Sequence, residues 1–201
     1  MANGRVITGY SLPYVAKYSN SGTTVTYSSG QVLARGVSVQ IAPDSSDAVN
    51  FYADNILAES VSSIFTGGTA TFVVDGLKDG ARELIMGVQN TASVTATTGV
   101  TVTVQLFDDD QKAPYMGAGF VVRYMEDGVT SYVPVVLPKV IFDQEGLEAN
   151  TQEETVAFQT TSLTAKVMRD DTAKHVWKKI GAGQTTETLA ESVVKKLLGI
   201  N

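Results

Sequence analysis

One stretch of the sequence, residues 114–143, predicts a long two-stranded β-hairpin and so constrains the rest of the fold. It reads PYMGAGFVVRYMEDGVTSYVPVVLPKVIFD, in which two runs rich in Val, Tyr and Phe are separated by Asp127-Gly128. This dipeptide readily supplies the two positive φ angles of a type I′ turn. Each strand of about eleven residues would span on the order of 35 Å, well beyond the usual strand of about five or six residues. The fold must therefore accommodate an unusually long ribbon.

The two-residue loop also sets the register of this hairpin. Pro134 then faces Val121 at a non-hydrogen-bonded site, and Pro138 faces Gly117 at another. A proline cannot donate to a ladder, so both fall where the missing N–H points toward the outer edge of the second strand. We therefore expect a third strand along that edge to pair incompletely.

Both faces of the predicted hairpin are apolar. The pattern typical of a protein core is formed on one face by Phe120, Val122, Tyr124, Val133, Val135 and Leu137. The opposite face carries Gly117, Gly119, Val121, Arg123, Tyr132, Pro134 and Val136. Because this second face is too apolar to be left in water, two interpretations stay open: a strand inside a two-sided sandwich, or a strand shared with neighbouring subunits.

Composition places the chain among folded, mostly β proteins. Its 201 residues are enough for one substantial domain, and 43% are hydrophobic against 18% charged. The formal net charge is −6 and no cluster of Lys and Arg occurs, which argues against a protein that grips nucleic acid by its phosphates. An acidic surface can still line a channel through which DNA passes without being bound.

The sequence has no cysteine, which excludes disulfides, thiolate metal sites and thiol nucleophiles. No segment approaches the roughly 20 apolar residues of a membrane span, so we expect no membrane insertion by this chain. The N-terminus has no apolar stretch of signal-peptide length, so we expect the protein to fold in a cytoplasm.

The remaining pattern predicts a mainly β single domain over residues 1–201, a β-sandwich or barrel flanked by two short α-helices. Residues 31–42 and 155–169 are predicted as long strands, the first with a bulge near Arg35-Gly36. A short helix is predicted over residues 77–88, with Gly87 near its end. A C-terminal helix is predicted at about 186–198, with Thr185 or Thr186 as N-cap. Its predicted apolar stripe consists of Leu189, Val193, Val194, Leu197 and Leu198.

Two stretches are less regular. Residues 43–66 mix apolar and acidic residues without a clean period, and we interpret them as a protruding loop or hairpin, with a solvated meander as the alternative. Residues 90–99 are rich in Thr, Ala and Gly and lead into a clear strand pattern at 100–106.

Residues that could carry catalysis are few. His175 is the only histidine, and neither a nucleophile elbow nor a phosphate-binding loop occurs. Consecutive carboxylates at 108–110, 153–154 and 170–171 lack the spacing of a calcium loop or a glycosidase pair, and we interpret them as solvated turns. The sequence predicts no catalytic residue, no cofactor site and no metal site, and hence a protein that is not an enzyme.

Four ordered segments carry a family resemblance. They are FYADN at 51–55, GGTATFVVDGL at 67–77, GFVVRYMEDGVTSYVPVVLPKVIF at 119–142 and LTAKVMRDD at 163–171. Together they resemble the major tail tube proteins of long-tailed bacteriophages and prophages, over nearly the whole chain. Residues 90–111 match this family least, which leaves room for an insertion there.

The resemblance implies a structural virion protein of the phage tail, assembled in the cytoplasm of the host bacterium. Such a β-sandwich subunit forms hexameric rings that stack into a tube. Hairpins from each subunit close into a continuous β-barrel around the channel through which the genome is ejected. The implied partners are further copies of the same chain, the tape measure protein and other tail proteins. DNA would pass through the channel without specific binding.

We assign roles to individual residues on this basis. The barrel hairpin and its packed side comprise Phe120, Val122, Tyr124, Asp127, Gly128, Val133, Val135 and Leu137. Arg123 and Tyr132 are assigned to the luminal or intersubunit side. Contacts with the next subunit or ring are assigned to Asp44, Asp47, Phe51, Tyr52, Asp54, Glu153 and Glu154.

Two other functions remain as alternatives. A surface adhesin or decoration β-domain would bind a receptor or glycan through an exposed aromatic patch, as a stable monomer or trimer. A glycan-active hydrolase would use paired acids such as Asp109 and Glu154.

Overall fold

The computed structural model describes residues 4–151 and 158–201, which form twelve strands and two helices. The strands are β1 Val6–Ser21, β2 Thr24–Val32, β3 Gly36–Ser45, β4 Val49–Ala53, β5 Ile56–Val61, β6 Phe65–Val74, β7 Asn90–Thr95, β8 Thr101–Leu106, β9 Met116–Glu126, β10 Val129–Phe142, β11 Thr161–Met168 and β12 Lys179–Ile180. The helices are α1 Asp79–Met86 and α2 Glu187–Leu197. The predicted mainly β class with two short helices is therefore confirmed. The N-terminal part of the strand predicted over 155–169 lies partly outside the described residues, and β11 begins at Thr161.

Most strands belong to one antiparallel sheet. Its order is β2-β1-β9-β10-β11-β6-β3, and β12 pairs with β10 beside this path. The pairs β4–β5 and β7–β8 form two separate two-stranded sheets. The central hairpin of β9 and β10 thus lies in the middle of the large sheet, as its length requires.

The large sheet is strongly curled, but it is not a closed barrel. β2 and β3 stand at opposite ends of the strand order, yet only residues 33–35 connect them. The four steps from Val32 to Gly36 span at most about 14 Å, so the two ends must approach each other. A Cβ placed on Gly36 at the start of β3 would collide with the Tyr10 ring of β1. No ladder joins the ends among the described residues, which corrects the expectation of a barrel within one chain.

The prediction of a single strand over residues 31–42 is wrong, because these residues belong to two different strands. β2 pairs with β1, whereas β3 pairs with β6, so the chain crosses between two edges at residues 33–35. The Leu33 side chain is buried, and its N–H donates to the Pro13 carbonyl at 2.8 Å. The Arg35 N–H donates to Asp75 Oδ1 at 3.0 Å. The segment that was predicted as a bulge is therefore a crossover between two strands, held by hydrogen bonds at Leu33 and Arg35.

The central hairpin has the predicted turn. Asp127 and Gly128 adopt φ angles of 48° and 77°, as a type I′ turn needs, and Pro134 faces Val121 as predicted. The predicted one-to-one pairing of Pro138 with Gly117 is replaced by a bulge, because the register shifts beyond Leu137 and leaves Pro138 and Lys139 together opposite Gly117. Such a shift accommodates one extra residue where a proline cannot donate to the ladder.

The outer edge of β10 pairs incompletely, as predicted. β12 pairs with it only at Val135 and Val136, and β11 pairs with it only from Lys139 to Phe142. The Pro134 carbonyl accepts from the N–H of Gly181 at 2.9 Å. Proline can make this bond because it acts only as the acceptor and needs no backbone N–H. The prolines therefore divide the neighbours of β10 into short segments.

The concave inner face of the curled sheet encloses the main core. Buried there are Phe120, Val122, Val133, Val135 and Leu137 of the central hairpin, with Tyr124 half-buried against them. Helix α1 covers this core with Ala81, Ile85 and Met86. It ends at Gly87, whose φ of 67° is left-handed and whose N–H donates to the Glu83 carbonyl at 3.0 Å. The prediction of this helix is confirmed.

The convex outer face of the same hairpin is covered by helix α2. A Cβ on Gly119 would lie 2.7 Å from Val194 Cγ1, and one on Gly117 would lie 2.8 Å from Leu198 Cδ2. Val121 and Val136 are buried beneath the helix. The chain therefore buries its own second apolar face, which favours a hairpin covered on both sides within one chain over a hairpin whose second face is covered by neighbouring subunits.

Helix α2 begins and ends as predicted, but its buried stripe is rotated. The Thr186 hydroxyl accepts from the Leu189 N–H at 3.3 Å, which is the N-cap bond. The fully buried side chains are Ala190, Val194 and Leu198, whereas Leu189 is 49% exposed. Apolar periodicity favoured the larger Leu189, but the glycines of β9 pack against Val194 and Leu198, and Ala190 lies one turn before Val194 on the same side of the helix.

Candidate assembly surface

Residues 46–64, here called the projecting hairpin, continue outward from the paired ends of β3 and β6. At its base the Ser46 N–H donates to the Ile64 carbonyl at 2.9 Å. The Ile64 N–H donates in turn to Ser46 Oγ at 3.1 Å. Beyond this base, β4 and β5 pair only with each other. The sequence left open whether these residues form a loop or a hairpin, and the structure shows a hairpin.

The projecting hairpin closes at Asp54-Asn55. Their φ angles of 51° and 62° are both positive, and Asp and Asn are the residues other than glycine that tolerate this conformation best. Apolar periodicity does not reveal this turn, and the Asp-Asn dipeptide is the local signal that identifies it. A register shift between Phe51 and Tyr52 interrupts the ladder below the turn.

All side chains of β4 and β5 are exposed. The large apolar ones, including Ile64 at the base, are between 50% and 69% exposed: Val49, Phe51, Tyr52, Ile56, Leu57, Val61 and Ile64. An isolated two-stranded hairpin is marginal in water, and a contiguous apolar surface of this kind marks an interaction site. The projecting hairpin is therefore the candidate functional site.

Both faces of the projecting hairpin are apolar. Val49 pairs with Val61 on one face, where Phe51 also lies opposite Glu59. Tyr52 pairs with Leu57 on the other face, because successive side chains of a strand alternate. The two aromatic rings therefore point to opposite sides and do not form one flat aromatic patch.

The charge of this region is uniformly negative. Residues 43–66 contain Asp44, Asp47, Asp54 and Glu59 and no Lys or Arg. Asp44 pairs with Gly67 at the end of β3, and Asp47 is exposed at the hairpin base. Five of the residues assigned to intersubunit contacts thus lie on or beside the projecting hairpin. The other two, Glu153 and Glu154, lie outside the described residues.

Arg123 and Tyr132 face each other across the central hairpin. Arg123 is exposed, whereas Tyr132 is half-buried beside the cluster that α2 covers. The Tyr132 backbone exchanges hydrogen bonds of 2.9 and 2.7 Å with Gln184. Of this pair, Arg123 is the residue that is exposed.

A second exposed hairpin, residues 90–106 and here called the uncharged hairpin, was only half recognised from sequence. β8 follows the predicted alternation, but β7 was missed because its Thr and Ala residues give no apolar period. The Asn90 side chain donates to Asp108 Oδ2 at 2.7 Å, and the Gln105 side chain donates to Glu83 Oε1 at 2.7 Å. The bond to Glu83 attaches the hairpin to helix α1, whereas the bond to Asp108 joins the two ends of the hairpin at its base.

The carboxylates at 170–171 are structural, which corrects their interpretation as a solvated turn. Asp170 is 1% exposed, and its Oδ1 accepts from the backbone of Thr172 and Val176 at 3.2 and 2.8 Å. Asp171 accepts from Lys139 Nζ at 2.8 Å and from the Tyr18 hydroxyl at 2.7 Å. These donors lower the pKa of Asp171.

Among the described residues, the candidates for catalysis do not gather into a metal-binding group. His175 has a left-handed φ of 49°, and its Nδ1 lies 3.3 Å from the carbonyl oxygen of Asp170. Among residues 4–151 and 158–201, no group of three or more His, Asp or Glu side chains is placed to hold a metal ion. Within the same residues, no helix is long and apolar enough to cross a membrane.

Comparison with protein-family models and with curated proteins finds no match for this sequence.

Proposed function

We propose that this protein is the major tail tube subunit of a long-tailed phage or prophage, a structural protein and not an enzyme. In this proposal, copies form hexameric rings that stack into a hollow tube through which genomic DNA enters the host. The observation that carries it is the projecting hairpin, whose apolar side chains remain in water in a single chain. The resemblance of residues 51–55, 67–77, 119–142 and 163–171 to tail tube proteins supports the same assignment.

The energetics favour a partner for the projecting hairpin. Covering Phe51, which is 64% exposed, would remove on the order of 100 Å² of apolar surface, worth about 2–3 kcal/mol. Similar gains apply to Tyr52, Ile56 and the valines at the hairpin base. Because both faces are apolar, packing on one side alone would leave the other in water. An assembly in which neighbours contact the hairpin from two sides satisfies both faces.

The charge of the molecule suits a channel for DNA. A net charge of −6 disfavours attachment to phosphates, so DNA would meet few sites at which it is held. The exposed Arg123 beside Tyr132 is our candidate for the luminal or intersubunit side. In this proposal the barrel around the channel is built from several chains, because one chain contributes a curled open sheet. The tape measure protein and other tail proteins complete the list of proposed partners.

Assembly of the purified protein tests the proposal. We expect wild-type protein to form six-fold rings or tubes in negative-stain electron microscopy and fast-sedimenting species in ultracentrifugation. Phe51→Asp should keep the thermal unfolding midpoint of wild type, because the hairpin lies outside the core, and should strongly reduce assembly. Ser63→Asp is the matched control, since it adds the same charge at the hairpin base without removing an apolar side chain.

The alternatives give different outcomes. A protein that stays monomeric at high concentration would contradict the tail tube assignment. A stable monomer or trimer that binds glycans on an array would support the adhesin or decoration domain instead. Loss of hydrolysis on replacing Asp109 and Glu154 by their amides would support a glycan-active enzyme, whereas a tube subunit should assemble unchanged.

A further inference from the structure

We propose that the uncharged hairpin of one copy is the surface that receives the projecting hairpin of a second copy. This inference rests on the proposed function, because it names the partner of the projecting hairpin within the assembly. It concerns residues 90–106, the region where the family resemblance is weakest.

The uncharged hairpin is amphipathic. Residues directly opposite each other share a face, and the pairs Ala92–Val104 and Val94–Val102 therefore lie together, with Leu106 beside them. The opposite face is neutral and polar and consists of Thr91, Ser93, Thr95, Thr101, Thr103 and Gln105. This division into one apolar and one polar face is typical of a ribbon that packs on one side only.

The apolar face of this ribbon is open. Val94 is 50% exposed, Val102 is 49% exposed and Leu106 is 41% exposed, so the rest of the described chain leaves them uncovered. The polar face is the one that is anchored, through the hydrogen bond from Gln105 to Glu83 of α1. The ribbon is thus attached to the domain with its apolar side directed away from this anchor.

The two hairpins match in chemistry. On the projecting hairpin, the face with Tyr52 and Leu57 carries only Asn50 and Ser60 as polar neighbours. On the uncharged hairpin, no Asp, Glu, Lys or Arg occurs anywhere from residue 84 to residue 107. Packing these two faces together buries no charge, and the acidic groups Asp54 and Glu59 meet no carboxylate of the receiving ribbon. Had the described part of the chain exposed a positively charged groove, that groove would have been the better candidate to receive the acidic projecting hairpin.

A contact between these two hairpins has to be made between two copies. Both hairpins are exposed in the single chain, so they do not cover each other within it. A contact between two different surfaces of one chain is heterologous, so every copy offers one hairpin and receives another, which generates a ring or a filament.

The size of the contact also favours another copy over a separate protein. A six-residue, two-stranded face measures roughly 20 by 10 Å, or about 200 Å². A stable interface needs about 800 Å² from each partner. The contact is too small to hold a free partner, and it forms between copies that other contacts already hold at high effective concentration.

Chemical cross-linking tests this pairing, because the chain has no cysteine of its own. Facing sheets lie about 10 Å apart, beyond the roughly 7 Å Cα separation that a disulfide bridges, so a short bis-maleimide is the suitable reagent. We expect assembled Tyr52→Cys/Val102→Cys protein to give a ladder of covalent oligomers. The control Tyr52→Cys/Thr103→Cys places the second thiol on the polar face and should remain mainly monomeric on a denaturing gel.

The single variants complete the experiment. Neither Tyr52→Cys nor Val102→Cys alone should cross-link, because a heterologous contact does not bring like positions together. Cross-linking of Val102→Cys alone would overturn the inference in favour of two uncharged hairpins packing on each other. Rings or tubes without cross-links in the first double variant would overturn the inference and leave the proposed function standing. Wild-type protein that stays monomeric, together with a double variant that gives no cross-links, would overturn both.

Discussion

At the scale of single residues, Asp170 and Asp171 show how far adjacent carboxylates can differ. Asp170 is buried and bonds the backbone of its own turn, while Asp171 binds Lys139 and Tyr18 on two other strands. Lys139 also lies over the rings of Tyr18 and Tyr115, at 5.2 and 4.7 Å from their centroids. The pair of acids therefore anchors the segment after β11 to the sheet.

The lowered pKa of Asp171 predicts a pH dependence of stability. Above its ordinary value of 3.8 the carboxylate is charged in both folded and unfolded chains, and its bonds to Lys139 and Tyr18 contribute in full. As pH falls through the lower pKa of the folded state, the carboxylate is protonated and this contribution is lost. We expect Asp171→Asn to lower the free energy of unfolding at neutral pH by about 1 kcal/mol, because the pair is partly exposed.

The measurement is urea unfolding as a function of pH. The decline in the free energy of unfolding below pH 3.8 should be shallower in Asp171→Asn than in wild type. Lys139→Met removes the largest cause of the lowered pKa and should flatten the decline in the same way. Asp44→Asn, on the exposed end of β3, serves as control. Parallel curves for wild type and Asp171→Asn would contradict the prediction.

At the scale of elements, helix α2 decides what happens to the second apolar face of the central hairpin. Its contact is made close by Gly117 and Gly119, where any side chain would meet Leu198 or Val194. Polar groups secure the same contact, since the Tyr14 hydroxyl donates to Glu191 at 2.5 Å and Lys195 pairs with Glu191 at 2.8 Å. The helix is thus an integral layer of the domain.

Two leucines of this region should respond very differently to truncation. Leu198→Ala leaves a cavity beside Gly117 and should lower the free energy of unfolding by about 2–5 kcal/mol. Leu189→Ala, at a position that is 49% exposed, should change it by no more than about 0.5 kcal/mol. Urea unfolding measures both. Equal losses would indicate that the stripe predicted from sequence, with Leu189 in it, is the buried one.

At the scale of the whole molecule, the apolar hairpins and the acidic surface have opposite effects on the association of copies. The exposed side chains of the projecting hairpin favour association, while the net charge of −6 makes copies repel. Salt screens that repulsion within about 10 Å at 0.1 M and leaves apolar contacts intact.

We therefore expect assembly to increase with salt. Sedimentation velocity at equal protein concentration should show a larger assembled fraction at about 0.5 M than at about 0.02 M sodium chloride, because the Debye length falls several-fold. Phe51→Asp should shift the whole dependence to higher salt. Dissociation of wild-type assemblies by salt would show instead that ion pairs hold the copies together.

Much of the fold was predictable where the cause is local. Asp127-Gly128 identifies the central turn, Gly87 and Thr186 mark helix ends, and alternation identifies most strands. The candidate site was predicted as a region, through Phe51 and its neighbours, but its hairpin geometry was not. β7 was missed because a ribbon of Thr, Ser and Ala has little apolar signal, and its pairing with β8 supplies the structure instead.

By itself, the sequence determined the turns, the mainly β class and the positions of the two helices, because these follow from backbone preferences and from the spacing of neighbouring side chains. Only the tertiary structure decided that β2 and β3 lie on opposite edges, and that α2 covers the outer face of the central hairpin. It also decided that the projecting hairpin remains uncovered. These outcomes depend on which distant segments compete for the same apolar surface, and that competition is settled by packing in three dimensions.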